Sequence, residues 1–175
     1  MMMRKIIVVF IVAVCFLTGC GSVYQTKKGV KNLKNGNYEL ALEMFQEVIE
    51  KDQKDAEAYR GKGIACFELK RYEEAIDAFE TALKLGTKKT ATIYNLLGIS
   101  CQNVEEYEKS LEYYEKGIGM KDVDKELFQE MRLNTIFVYE KMGDWDSAKE
   151  EVEEYLLDYP NDKIAIKEAQ FLETR

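Results

Sequence analysis

The chain has 175 residues, 25 Lys/Arg against 32 Asp/Glu for a net charge of −7, no histidine and a single proline. So acidic a balance argues against nucleic acid, whose phosphates call for clustered Lys and Arg, and the lack of histidine removes the commonest general base and metal ligand. With 46% apolar residues and few β-branched runs after residue 20, the expected class is all-α, and neither cofactor nor metal is expected.

Arg4 and Lys5 precede an apolar run, Ile6 to Leu17, that is too short to span a bilayer comfortably. Leu17-Thr18-Gly19-Cys20 follows. This order of charge, apolar run and Leu-x-Gly-Cys is similar to a bacterial lipoprotein signal peptide with its lipobox. The resemblance implies removal of residues 1–19, a diacylglyceryl group on the Cys20 thiol, and a lipid anchor at the extracytoplasmic face of a cell membrane. An ordinary signal peptide or an uncleaved anchor is the alternative. Two or more acyl chains hold a protein on a membrane where one is marginal, at about 0.8 kcal/mol per buried methylene.

By that resemblance residues 20–22 would form the lipidated N-terminus, with the folded region beginning near Val23. Its first helix carries Lys27, Lys28, Lys31 and Lys34, with no acidic residue before Glu39. The 27, 31, 34 spacing puts three lysines on one face. All 32 acids lie beyond residue 34, with only 19 of the basic residues. The sequence is therefore basic beside the anchor and acidic away from it. A helix resting on anionic headgroups, at about 1 kcal/mol per lysine near the surface, and a solvated basic face are both open.

The stretch Ala56 to Leu85 shows two amphipathic helices broken near Lys70-Arg71. Tyr59, Gly63, Cys66 and Phe67 mark one face of the first, and Ala75, Ile76, Phe79, Ala82 and Leu83 one face of the second. Gly63 and Ala75 are the small residues that let the helices approach closely. The unit recurs. Ala41, Gly29, Tyr38 and Phe45 lie 34 residues earlier, Ser110, Gly98, Tyr107 and Tyr114 lie 35 later, and Ala148 with Trp145 follows at 38. Four aromatics, Tyr38, Tyr72, Tyr107 and Trp145, each stand three residues before a small residue. This pattern resembles the tetratricopeptide repeat, a 34-residue helix–turn–helix unit. Lys62 stands where leucine is usual and Thr87 where proline is usual. Repeat four is the loosest match, with Ile136 in the glycine slot and Tyr155 in the second alanine slot.

The resemblance implies an α-solenoid over residues 23–175. Its repeats fall at about 22–55, 56–90, 91–125 and 126–162, and a capping segment occupies 163–175. Helices are expected near 23–35, 38–51, 56–69, 72–85, 90–103, 107–119, 124–142 and 145–158. Asp122 or Asp124 caps the seventh, and Asn161 or Asp162 caps a last helix to about Thr174. The polar Lys167, Glu168, Glu173 and Arg175 suit a solvent-facing cap.

Little in the sequence points to catalysis. Cys66 and Cys101 hold equivalent slots of neighbouring repeats, and two buried thiols are favoured over a disulfide. The pairs Glu73-Glu74, Glu105-Glu106, Glu150-Glu151 and Glu153-Glu154 read as solvated faces of second helices. Asp122 to Glu126 has the acid density of a calcium loop without its glycine or its length. No nucleophile elbow, phosphate loop or dinucleotide fingerprint is present. In tetratricopeptide arrays the first helices of successive repeats line a concave groove. By that resemblance the groove slots hold Val30 and Leu33, then Arg60, Ile64 and Phe67, then Asn95, Ile99 and Gln102, then Leu133, Phe137 and Glu140. Apolar residues with polar ends suit an extended segment or helix with apolar anchors. The Lys/Asn clamp by which some family members hold a C-terminal carboxylate is missing, since Thr26, Val30 and Gly61 occupy those places. The expected function is a lipid-anchored, non-catalytic scaffold that holds a protein or peptide partner at the outer face of a bacterial membrane. An enzyme or enzyme accessory of cell-wall metabolism is the alternative, and the lack of an α/β pattern counts against a transporter's substrate-binding lipoprotein.

Overall fold

The computed structural model describes residues 24–121 and 123–175. The signal-like segment, Cys20 and Asp122 lie outside the described residues. Among those described, every regular element is an α-helix: α1 (24–34), α2 (Tyr38–Lys51), α3 (Ala56–Glu68), α4 (Tyr72–Lys84), α5 (Ala91–Asn103), α6 (Tyr107–Ile118), α7 (Lys125–Met142), α8 (Trp145–Asp158) and α9 (Lys163–Leu172). The all-α expectation holds, and the helices pair antiparallel as tetratricopeptide units. The chain forms two compact units, one ending at Lys88 and the other running from Lys89 to Arg175.

Capping side chains explain several helix starts. Asp55, Thr90, Asp124, Asp144 and Asp162 each accept a hydrogen bond from a backbone N–H in the first turn of α3, α5, α7, α8 and α9, satisfying donors that have no partner within the helix. The turn inside each repeat is built one way four times. Gly36, Lys70, Glu105 and Gly143 adopt positive φ, at 75°, 59°, 62° and 74°. The next N–H closes back on a carbonyl five residues earlier: Asn37 to Asn32 at 2.9 Å, Arg71 to Cys66 at 2.8 Å, Glu106 to Cys101 at 2.8 Å and Asp144 to Tyr139 at 3.0 Å. This is a Schellman closure, which favours glycine at its left-handed residue. Lys70 and Glu105 accept the strain that glycine avoids in the other two turns.

In the unit ending at Lys88, α3 packs on α2 and α4. Its core includes the fully buried Phe45, Val48, Cys66, Phe79 and the alanines at 41, 58, 65, 75 and 82. Each signature glycine meets the aromatic ring sixteen residues later. A Cβ added at Gly29 would stand 2.8 Å from the Phe45 ring, and one at Gly63 2.7 Å from Phe79. Gly61 also leaves room for Phe45. Thr87, in the slot where proline is usual, is buried, and its hydroxyl donates to Glu57 at 2.6 Å. That bond ties the end of the repeat to the start of α3 and holds the Glu57 carboxyl below its ordinary pKa.

In the unit from Lys89, α7 packs on α5, α6 and α8, and α9 covers α8. Gly98 opposes Tyr114 as Gly63 opposes Phe79. The buried Ser110 hydroxyl donates 2.8 Å to the Gly98 carbonyl. Repeat four solves the same packing problem differently. Ile136 and Val152, also sixteen residues apart, fill the space with two medium side chains, in one cluster with Ala148, Tyr155, Ala165 and Leu172. Tyr155 is fully buried, and its hydroxyl donates to Asp162 at 2.8 Å and accepts from Gln129 at 3.3 Å. Burial and the Asp162 carboxylate push this phenol up to about 12. The two departures from the repeat pattern thus form a compensated core that fastens the last helix.

Candidate interaction surfaces

The first surface lies in the unit ending at Lys88. Val30 and Leu33 of α1 and Arg60 and Ile64 of α3 converge with Thr26, Lys34, Glu57 and Gly61 on a depression of about 300 Å³. Helical spacing explains it, because 26, 30 and 33 and again 57, 60, 61 and 64 each share one helix face. Four of the groove slots expected from the sequence are therefore neighbours. Thr26, Val30 and Gly61, which replace the carboxylate clamp, line the same depression and make it mostly apolar. Arg60 brings a guanidinium to it, held by Glu57 through an Nε–Oε2 bond of 2.8 Å and 40% exposed. Phe67 lies outside the depression. It packs edge-on against Tyr72, ring centroids 5.9 Å apart, and stays half-buried.

The four lysines divide. Lys27, Lys28 and Lys31 line a second depression with Tyr24, Asn32 and Asn35, about 530 Å³, whereas Lys34 edges the apolar one. Tyr24 is 67% exposed, so an aromatic ring stands beside three ammonium groups.

In the other unit the expected groove residues are largely engaged within the fold. Asn95 is buried, and its amide donates 3.0 Å to Glu130 of α7. Its Oδ1 has no partner among the described residues. Gln102 accepts from the Tyr114 hydroxyl at 3.2 Å. Ile99 packs with the cluster around Tyr114 and Met131, and Leu133 with the cluster around Ile136. Phe137 is half-buried. Glu140 sits against Glu168 of α9. Burial and that second carboxylate raise it to about 7, and its Oε1 is buried without a partner among the described residues.

A third surface was not expected from the sequence. Glu108, Leu111, Glu112, Glu115 and Ile118 of α6, Phe128, Arg132, Thr135 and Tyr139 of α7, and Glu151 and Glu154 of α8 enclose a cleft of about 580 Å³. Arg132 is only 11% exposed and is held by Glu151 at 3.3 Å, Glu154 at 3.8 Å and Asp158 at 3.5 Å. Its guanidinium lies 5.7 Å from the centre of the Tyr155 ring. Glu151 and Glu154, from pairs read as solvated faces, are thus brought across a gap from Glu108, Glu112 and Glu115. The Glu-Glu pairs gave half of this signal. The other half, which α7 side chains floor the gap, depends on helix packing.

Cys66 and Cys101 are both buried thiols, and burial pushes the Cys66 thiol up. Among the described residues no cluster of three or more Cys, Asp or Glu could hold a metal ion, and no helix is long and apolar enough to cross a membrane.

Models of the tetratricopeptide repeat match residues 27–92 and 91–124. The chain is a tetratricopeptide repeat protein. No curated protein sequence matches it significantly. Several solved structures share its fold. YrrB, described as a TPR protein with an unusual peptide-binding site, is 22% identical with a TM-score of 0.72, over 86% of this chain and 75% of that one. MamA is 19% identical with a TM-score of 0.75, over 88% and 81%. The Pseudomonas aeruginosa protein pilF is 19% identical with a TM-score of 0.63, over 89% and 68%. Tetratricopeptide proteins are protein–protein interaction scaffolds and generally non-catalytic.

Proposed function

We propose that this tetratricopeptide protein is a lipid-anchored adaptor, attached through Cys20 to the outer face of a bacterial membrane, and that it captures a polypeptide on the inner faces of its first helices. The depression formed by Val30, Leu33, Arg60 and Ile64 carries the reading. It offers an apolar floor for one or two side chains and one exposed guanidinium to fix an acidic group or a carbonyl, which is how such grooves select helices and extended segments. YrrB, similar in fold, is described as having a peptide-binding site, which makes a peptide the first ligand class to try. Phe137, half-buried on α7, is the candidate aromatic anchor of the other unit. Attachment is supported by the basic, apolar and Leu17-Thr18-Gly19-Cys20 order. The lysine depression of α1, a helix that follows Cys20 closely in sequence, suits anionic headgroups.

Two measurements test this. Intact mass of protein extracted from membranes should show acylation at Cys20 and loss of residues 1–19, and Cys20→Ala should release the chain to the soluble fraction. Unmodified soluble protein that Cys20→Ala leaves unchanged would refute the anchor. Partner capture from solubilised membranes should fall at least tenfold for Arg60→Ala combined with Phe137→Ala. Full capture by a double variant with wild-type circular dichroism would refute the inner-face site.

A further inference from the structure

We infer that the cleft between α6 and α8 is a second docking surface, built for an amphipathic helix of a partner polypeptide with an apolar stripe flanked on both sides by Lys or Arg. The floor comes first. Leu111 and Ile118 of α6 and Phe128 and Tyr139 of α7 present apolar surface inside a cleft of about 580 Å³, enough to seat a few side chains. The walls are acidic on both sides. Glu108, Glu112 and Glu115 recur at helical spacing along α6, and Glu151 and Glu154 face them from α8.

Charge chooses the occupant. The lining holds five carboxylates and one cation, Arg132, which Glu151, Glu154 and Asp158 already surround. Glu112 reaches only Lys116 on its own helix, at 3.4 Å, and Glu108 and Glu115 make no ion pair among the described residues. A low-dielectric floor between rows of like charge focuses a negative potential outward. An apolar stripe alone would leave those carboxylates partly desolvated and unpaired, whereas flanking ammonium or guanidinium groups would meet them at the rim. A second copy of this chain fits less well. In α1, the basic helix of a second copy, Gly29 is turned to Phe45 of α2. The apolar residues left outside, Val30 and Leu33, line a depression with Lys34 as its one lysine, which is not a stripe flanked by basic residues on both sides.

The cleft is independent of the inner-face reading. On α7, Phe128, Arg132, Thr135 and Tyr139 share one face, and Leu133 and Phe137 fall on the opposite one at 3.6 residues per turn. Either surface can fail without the other.

The test uses the full chain in a non-ionic detergent, with micelles alone as blank. The probe is a fluorescein-labelled 14-residue peptide with leucines along one helical face and lysines on both sides of it. Binding should saturate and weaken at least tenfold between 50 and 500 mM NaCl, as expected for rim charges. Glu108→Gln/Glu112→Gln/Glu115→Gln should weaken it at least tenfold with unchanged circular dichroism, and Arg60→Ala/Phe137→Ala should leave it unchanged. A shuffled peptide of the same composition without the stripe should bind at least tenfold more weakly. Equal binding by the triple variant, or by the shuffled peptide, would overturn the proposal. So would self-association of the wild-type chain in sedimentation that the triple variant abolishes, since the occupant would then be a second copy.

Discussion

Repeats two and four of this molecule place side chains at the same two slots and fill them in opposite ways. In repeat two a glycine on α3 lets the phenylalanine ring of α4 lie directly against the helix, with Phe79 fully buried. In repeat four Ile136 and Val152 share that space, and the bulk appears a turn later as Tyr155, whose hydroxyl is consumed by Asp162 and Gln129. The lesson is that the repeat conserves volume and close packing, while the residue that supplies the volume is free to move. It also shows where a repeat can end. The altered pair creates a polar link from the core to the cap of α9, which no glycine–aromatic pair provides.

The sharpest way to break this comparison is to move one solution into the other repeat. Gly63→Ile drives a branched side chain into the Phe79 ring and should cost about 3 kcal/mol, at the upper end of overpacking. Phe79→Val alone should cost about 2–3 kcal/mol through its cavity. If volume is what the slots share, the double variant should recover at least about 1 kcal/mol relative to the sum, read as coupling in a denaturant-unfolding cycle. Additive losses would mean that the ring itself is required.

A smaller effect distinguishes the first alanine slot, held by Ala75 in repeat two and Ser110 in repeat three. Ala75→Leu should destabilise by about 1–3 kcal/mol through overpacking. Ser110→Ala should cost only about 1 kcal/mol, the worth of the hydroxyl bond to the Gly98 carbonyl. Equal unfolding midpoints would remove Ala75 from the close approach of α3 and α4.

The polar link in repeat four predicts about 1 kcal/mol lost in Tyr155→Phe, since the ring stays and only its hydrogen bonds go. The neighbouring Glu140 adds a pH dependence. Its folded pKa is raised to about 7 above an ordinary value near 4.3, so between those values the folded chain holds a proton that the unfolded chain has released. Stability contributed by this group therefore falls as pH rises from about 4.5 to 7. Glu140→Gln should flatten that slope and, after solvent screening of a half-exposed group, stabilise at pH 8 by roughly 1 kcal/mol or less. A slope unchanged by the substitution would exclude the Glu140–Glu168 pair as its source.

The smallest effect concerns the turns. Lys70→Gly and Glu105→Gly should each stabilise by about 0.5–1 kcal/mol, because relief of left-handed strain outweighs the extra freedom of the unfolded chain. Gly36→Ala and Gly143→Ala should destabilise by a similar amount.

Much of the fold was legible because a helix writes its period into the chain. Tyr38, Tyr72, Tyr107 and Trp145 announced four second helices, and each is the first residue of one. The site was legible in part. Residues 30, 33, 60 and 64 were expected to face one surface, and they do share a depression. Helical spacing assigns a face but not a partner. It could not show that Glu130 would take the Asn95 amide, that Tyr114 would take Gln102, or that Phe67 would lean on Tyr72. The same blindness hid the cleft, because Glu112 and Glu151 look equally solvated until α6 and α8 stand on either side of α7.

The two buried thiols give the molecule a built-in clock. Cys66 belongs to the unit ending at Lys88 and Cys101 to the one that follows. A thiol with no solvent-exposed surface reacts with an alkylating reagent only when its surroundings open. The labelling rate at each therefore times the opening of that thiol's own surroundings. A partner that closes over one of them would slow the rate at that cysteine.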